Sequence, residues 1–146
     1  MAKIPSTLHE SIGKAFPANV PLIGTMQPSG YVQIGIRGST MVYDDEHFAL
    51  WERGKGTTNA ELKPGAKVTI FYRDPALREA KVLPAGGVAR FYGTVETVAR
   101  SGPVYDKVWD KLIQPEKNND PEKKGYAVLI KVERAEDLGG RPLQGS

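Results

Sequence analysis

Short strands separated by tight turns, few helices and no strand–helix–strand rhythm predict a mainly β protein, a small antiparallel barrel with peripheral helices. Three observations carry this. Runs rich in Val, Ile, Tyr and Phe recur between turns built from Gly, Pro and Asp. A glycine, Gly93, interrupts the longest run, where a barrel corner needs a bulge or bend. The whole chain is 146 residues with 40% apolar and 25% charged content, one domain's length and enough to bury a core.

The elements follow in order. Residues 6–16 read as an N-terminal helix: Ser6 or Thr7 can cap it, Leu8, Ile12 and Phe16 share one face, and Pro17 stops it. Residues 20–26 form the first strand, and 27–30 a turn ending in glycine. Strands follow at 31–37, 41–43 and 47–51, joined by the turns Gly38-Ser39-Thr40 and Asp44-Asp45-Glu46. A Gly- and Lys-rich loop then opens a short helix at 57–62. In strand 67–73, Val68, Ile70 and Tyr72 alternate with Thr69, Phe71 and Arg73, and apolar residues on both faces predict burial on both sides. Residues 74–87 read as a loop and 88–98 as the longest strand. Gly102-Pro103 opens a helix in which Tyr105, Trp109 and Ile113 repeat every four residues beside Val108 and Leu112. A polar loop at 116–125, a closing strand at 126–133 and a tail at 135–146 complete a single domain spanning 1–146.

Composition narrows function. Zero cysteines exclude disulfides, thiolate metal sites, iron–sulfur clusters and cysteine nucleophiles. The N-terminus lacks the apolar run of a signal peptide and no stretch reaches membrane-span length, which points to the cytoplasm. A net charge of +3 with acidic residues interleaved throughout describes a solvated surface with a local anion site rather than a nucleic-acid stripe. His9 and His47 stand apart without metal-ligand spacing, and no nucleophile–base pair suggests a hydrolase.

The chemistry concentrates between residues 30 and 62. Arg37, followed by Gly38 and Ser39, ends one strand; the next hairpin runs through Trp51 into Arg53, Gly54, Lys55, Gly56, Thr57 and Thr58. Fixed cations, small hydroxyls and free backbone N–H groups suit a phosphate. The same residues also make a strand-end cation, a turn and a helix cap, and capping competes for the same N–H groups. Trp51, Phe71, Tyr72 and Trp109 are most simply packing residues, although the aromatic and cationic pairs at 71–73 and 90–92 also occur in single-strand-binding barrels.

This layout resembles the FMN-binding split-barrel family, the pyridoxamine 5'-phosphate oxidase-like proteins, over roughly residues 20–134. The likeness lies in the order of parts: Arg37-Gly38-Ser39, Asp44-Asp45, Leu50-Trp51, the 53–59 loop, then strands 67–73 and 88–98. It departs at Thr57-Thr58, where many members carry adjacent Arg and Lys. The resemblance implies a Greek-key split barrel of about six strands, a homodimer with flavin at its interface, and FMN as cofactor. It implies a flavin oxidoreductase using a nicotinamide donor or small redox substrate, with Arg37, Gly38, Ser39, Trp51, Arg53, Lys55, Thr57 and Thr58 around the cofactor. Catalytic residues remain unassigned. True vitamin B6 oxidases have a longer basic C-terminal segment, so efficient turnover of pyridoxamine 5'-phosphate is not expected. Carriers or sensors that hold flavin, deazaflavin or haem share the fold and stay open as alternatives.

Overall fold

A computed structural model describes residues 2–54 and 58–146. Seven strands form one sheet: β1 (Leu22–Met26), β2 (Val32–Ile36), β3 (Met41–Asp44), β4 (His47–Glu52), β5 (Lys67–Arg73), β6 (Val88–Ala99) and β7 (Tyr126–Glu136). Their order is β2-β1-β5-β6-β7-β4-β3, and every neighbouring pair is antiparallel. The sheet curls without closing, because β2 and β3, joined by the 37–40 turn, are its two edges. This is a split barrel with the seven strands read along the sequence, one more than the six or so that the resemblance implies.

Curvature is concentrated where β6 meets β7, with register shifts at Tyr92/Gly93 and Val95/Thr97. A Cβ on Gly93 would sit 2.6 Å from the Lys131 carbonyl oxygen and 2.8 Å from Ile130 Cγ2, so only glycine lets the strands approach this closely. Inside the curl, Ile23, Phe48, Ile70, Phe91 and Ile130 are almost fully buried, with Phe48 and Phe91 edge to face at 4.9 Å. Helix α1 (Ser6–Gly13) adds Leu8 and Ile12 to that core. A second cluster lies outside the sheet, where Ala49, Trp51, Ala127 and Leu129 pack under another helix.

Several expectations change on folding. Helix α1 stops at Gly13 rather than 16, and its N-cap is Pro5, so neither Ser6 nor Thr7 caps it. The 74–87 segment holds helix α3 (Pro75–Glu79), in which the Asp74 carboxylate accepts the Ala76 N–H at 3.0 Å and Pro75 opens the first turn. Between them, α2 (Thr58–Glu61) is a single turn. Helix α4 (Pro103–Lys111) is followed by α5 (Gln114–Asn118), part of which had read as polar loop. The tail is not free: β7 runs on to Glu136, residue 136 bridges to Pro142, and Leu143 is buried.

Strand β5 is also not buried on both sides. Val68, Ile70 and Tyr72 face the core, while Thr69 and Phe71 are only half-buried on the outer face. There the register aligns Ile36, Leu22 and Phe71 in one row and Ile34, Gly24 and Thr69 in the next. Val32, Ile34 and Ile36 are 58%, 67% and 69% exposed, and the first two border a shallow apolar groove of about 520 Å³. Among the described residues no helix is long and apolar enough to cross a membrane.

Candidate anion site at the barrel mouth

Alternation along β4 sends Phe48 and Leu50 inward and Ala49 and Trp51 outward beneath α4. The next residue, Glu52, has the inward parity, pairs with Tyr126 across the strands, and is 2% exposed. A carboxylate is thus delivered into the end of the barrel, where burial demands partners.

Those partners are the groups that sequence reasoning had assigned to a phosphate. Arg37, one residue past β2, places Nη2 3.3 Å from Glu52 Oε2. The Arg53 N–H donates to Glu52 Oε1 at 3.2 Å, and the Gly54 N–H also donates to this carboxylate. Gly54 has φ +74°, a left-handed turn that suits glycine and brings successive N–H groups to one side. Just past the end of β6, the Arg100 guanidinium lies 4.1 Å from the ring centroid of Tyr126 on β7.

Burial raises the Glu52 pKa; Arg37, the two loop N–H groups and the Arg53 charge oppose that rise without cancelling it. Burial also raises the Tyr126 phenol, helped by the Glu52 charge and opposed by Arg100 and Arg37. The mouth is therefore a compact set of cations and dipoles around one costly carboxylate.

The other predicted residues divide. The Ser39 hydroxyl donates to the Trp51 carbonyl at 3.0 Å and accepts the Trp51 N–H at 3.1 Å, tying the edge turn to the end of β4. The Trp51 indole is 5% exposed, packs against Tyr105 and Trp109 at centroid distances of 5.1 and 5.0 Å, and donates to Asp120 Oδ2 at 2.8 Å. Its ring therefore belongs to the packing under α4, and it fixes the strand end rather than offering an open face. A Cβ on Gly38 would collide with the Glu116 carboxylate of α5, so that turn is covered. Arg53 Nη1 is 3.5 Å from the Asn119 carbonyl. Lys55 and Thr57 lie outside the described residues, and Thr58 starts α2, whose single turn offers little dipole to an anion.

Sequence reasoning missed Glu52, Arg100, Asp120 and Tyr126. Glu52 had a legible signal, its two-residue phase with Phe48 and Leu50 beside a basic loop. Arg100 and Asp120 had none, because they reach the mouth through strand pairing and a distant loop. The donor set fits an oxyanion group, since a guanidinium and two backbone N–H groups already converge on the two oxygens of one carboxylate.

No protein-family model matches the chain, and comparison with curated proteins yields no match. Solved structures do match. HupZ of Group A Streptococcus is similar with TM-score 0.65 and 20% identity, over 93% of this chain and 98% of that one. A protein described as a candidate pyridoxamine 5'-phosphate oxidase from Lactobacillus delbrueckii has TM-score 0.60 and 25% identity, over 93% and 99%. An FMN-binding protein from Syntrophomonas wolfei has TM-score 0.64 and 15% identity, over 90% and 84%. With this sheet order and these likenesses, the chain has the split-barrel fold seen in pyridoxamine 5'-phosphate oxidase-like proteins.

Proposed function

We propose that the chain binds FMN at the barrel mouth as a homodimer and acts as a flavin oxidoreductase. One observation carries the cofactor: the convergence of Arg37 with the Arg53 and Gly54 N–H groups on the two oxygens of one anionic group, the Glu52 carboxylate. The FMN-binding and oxidase-type names of fold neighbours support the same reading. Arg37, Arg53 and Lys55 neutralise the phosphate, Thr57 and Thr58 donate hydroxyls, and Gly38, Ser39 and the Trp51 backbone shape the adjoining wall. When bound, FMN supplies the hydride chemistry; the protein's part is to hold it, orient a substrate and exclude water.

The apolar outer face of β2, β1 and β5 is the surface proposed to pair two copies. Three exposed β-branched residues on an edge strand are a liability for a monomer and a natural core for an interface. The redox partner is a nicotinamide donor or a small substrate, and vitamin B6 oxidation is not proposed.

A visible spectrum of the purified protein, taken after adding FMN and removing the excess, tests the cofactor. Retained flavin near one per chain is the expected result. A folded protein that retains none refutes it and directs the same experiment to deazaflavin and haem.

A further inference from the structure

We infer that Glu52 is a built-in competitor for the cofactor phosphate, a specificity-determining carboxylate that makes phosphate binding proton-linked. The inference rests on the FMN reading and sharpens it at the same site.

The geometry is direct. Glu52 is 2% exposed, and its two oxygens take the Arg37 guanidinium on one side and the Arg53 N–H on the other. The Gly54 N–H adds a third donor. A phosphate seeking Arg37 and the start of the 53–59 loop meets donors already engaged by an anion of the same sign. Two anions cannot share one receptor in a buried mouth without strong repulsion. For phosphate to take those donors, Glu52 must either turn away or accept a proton. Protonation leaves it a neutral hydrogen-bond donor and frees Arg37 to pair with the phosphate.

The surroundings favour protonation. The charged and titratable groups facing this cluster are Arg37 at the end of β2, Arg53 after β4, Arg100 after β6, Tyr126 on β7, Glu116 on α5 and Asp120 beyond it. Asp120 is already committed to the Trp51 indole and two backbone N–H groups, so it does not compete for Arg37. Burial already holds the Glu52 pKa above its ordinary value, and an approaching phosphate pushes it further the same way.

The ligand series is FMN against riboflavin, which lacks the phosphate, measured on the intact protein by flavin fluorescence. For Glu52→Gln, FMN should bind about tenfold tighter or more while riboflavin changes little, the scale expected when one like charge leaves a partly buried site. In the wild type, the FMN-to-riboflavin affinity ratio should fall as pH rises through the Glu52 titration. Ionisation of the phosphate itself would move that ratio the other way. Calorimetry in buffers of different ionisation enthalpy should show more proton uptake on FMN binding by the wild type than by Glu52→Gln.

If Glu52→Gln leaves the ratio unchanged or weakens FMN selectively, Glu52 merely positions Arg37 and the inference is wrong. If Glu52→Gln does not fold, a wild-type ratio that stays flat or rises with pH overturns it equally. If neither protein binds any flavin, the functional reading fails and this inference falls with it. Loss of the inference alone thus looks different from loss of the cofactor.

Discussion

Replacing Asp120 by alanine should be among the most damaging single changes outside the hydrophobic core. Its carboxylate accepts the Trp51 indole N–H at 2.8 Å, the Gly125 N–H at 2.8 Å and the Lys124 N–H at 2.9 Å. The spot has no room to rearrange, because a Cβ on Gly125 would lie 2.5 Å from Trp51 Nε1 and 2.7 Å from the Glu52 carbonyl. Asp120→Ala leaves the buried indole and Gly125 N–H groups without acceptors, while the Lys124 N–H is partly open to water. Two orphaned donors at about 1–3 kcal/mol each give a loss of about 3 kcal/mol. For a domain of this size that lowers the melting temperature by roughly 9 °C. Asp120→Asn keeps an acceptor and should lose about half as much.

Urea unfolding followed by tryptophan fluorescence and circular dichroism measures this loss. A loss below about 0.5 kcal/mol for Asp120→Ala, within the range of ordinary surface substitutions, would refute the accounting. A pH series gives an independent check. Burial works against the Asp120 charge, but the indole N–H, the two backbone N–H groups and Arg53 outweigh it and hold the pKa below 3.8. The folded-state value is therefore the lower one, so this stabilisation is complete above the unfolded value and disappears as pH falls through the folded value. Asp120→Asn should flatten that part of the acid limb.

Three further outcomes are expected. Glu136 is buried and accepts the Tyr92 hydroxyl, Arg90 Nε and Arg134 Nη2, and the first of these leads in lowering its pKa; a Glu136→Gln and Tyr92→Phe double-mutant cycle should show coupling of about 1–2 kcal/mol that vanishes at acid pH, and additive losses would contradict the network. Ile34→Glu on the exposed β2 row should convert a dimer to a folded monomer in sedimentation equilibrium, whereas an unchanged mass would move the interface elsewhere. Arg53→Ala combined with Lys55→Ala should weaken FMN by about 10–100-fold with little change for riboflavin in a fluorescence titration; equal losses for both would remove the phosphate from that loop.

The sequence alone determined the strand order along the chain, the bulge at Gly93, the alternation of Val68, Ile70 and Tyr72 with Thr69, Phe71 and Arg73, and the basic character of the 53–59 loop. These are local properties: a two-residue period, a missing side chain, a run of charge. Tertiary structure decided what they are next to. Phe71 on the outer face of β5 argues in sequence for burial on both sides, yet it and Thr69 are only half-buried and line an open groove with Val32 and Ile34. Trp51 became packing under α4 because β4 turns its odd positions outward toward Trp109. The 135–146 segment became structure because β7 extends to Glu136, whose charge finds Arg90, Tyr92 and Arg134 on neighbouring backbone. Arg37 found Glu52 across strands that lie at opposite sides of the sheet order, an encounter set by curvature and register. Local periodicity can report which way a side chain points. Only the closure of distant strands around a low-dielectric mouth fixes which charge it must face there.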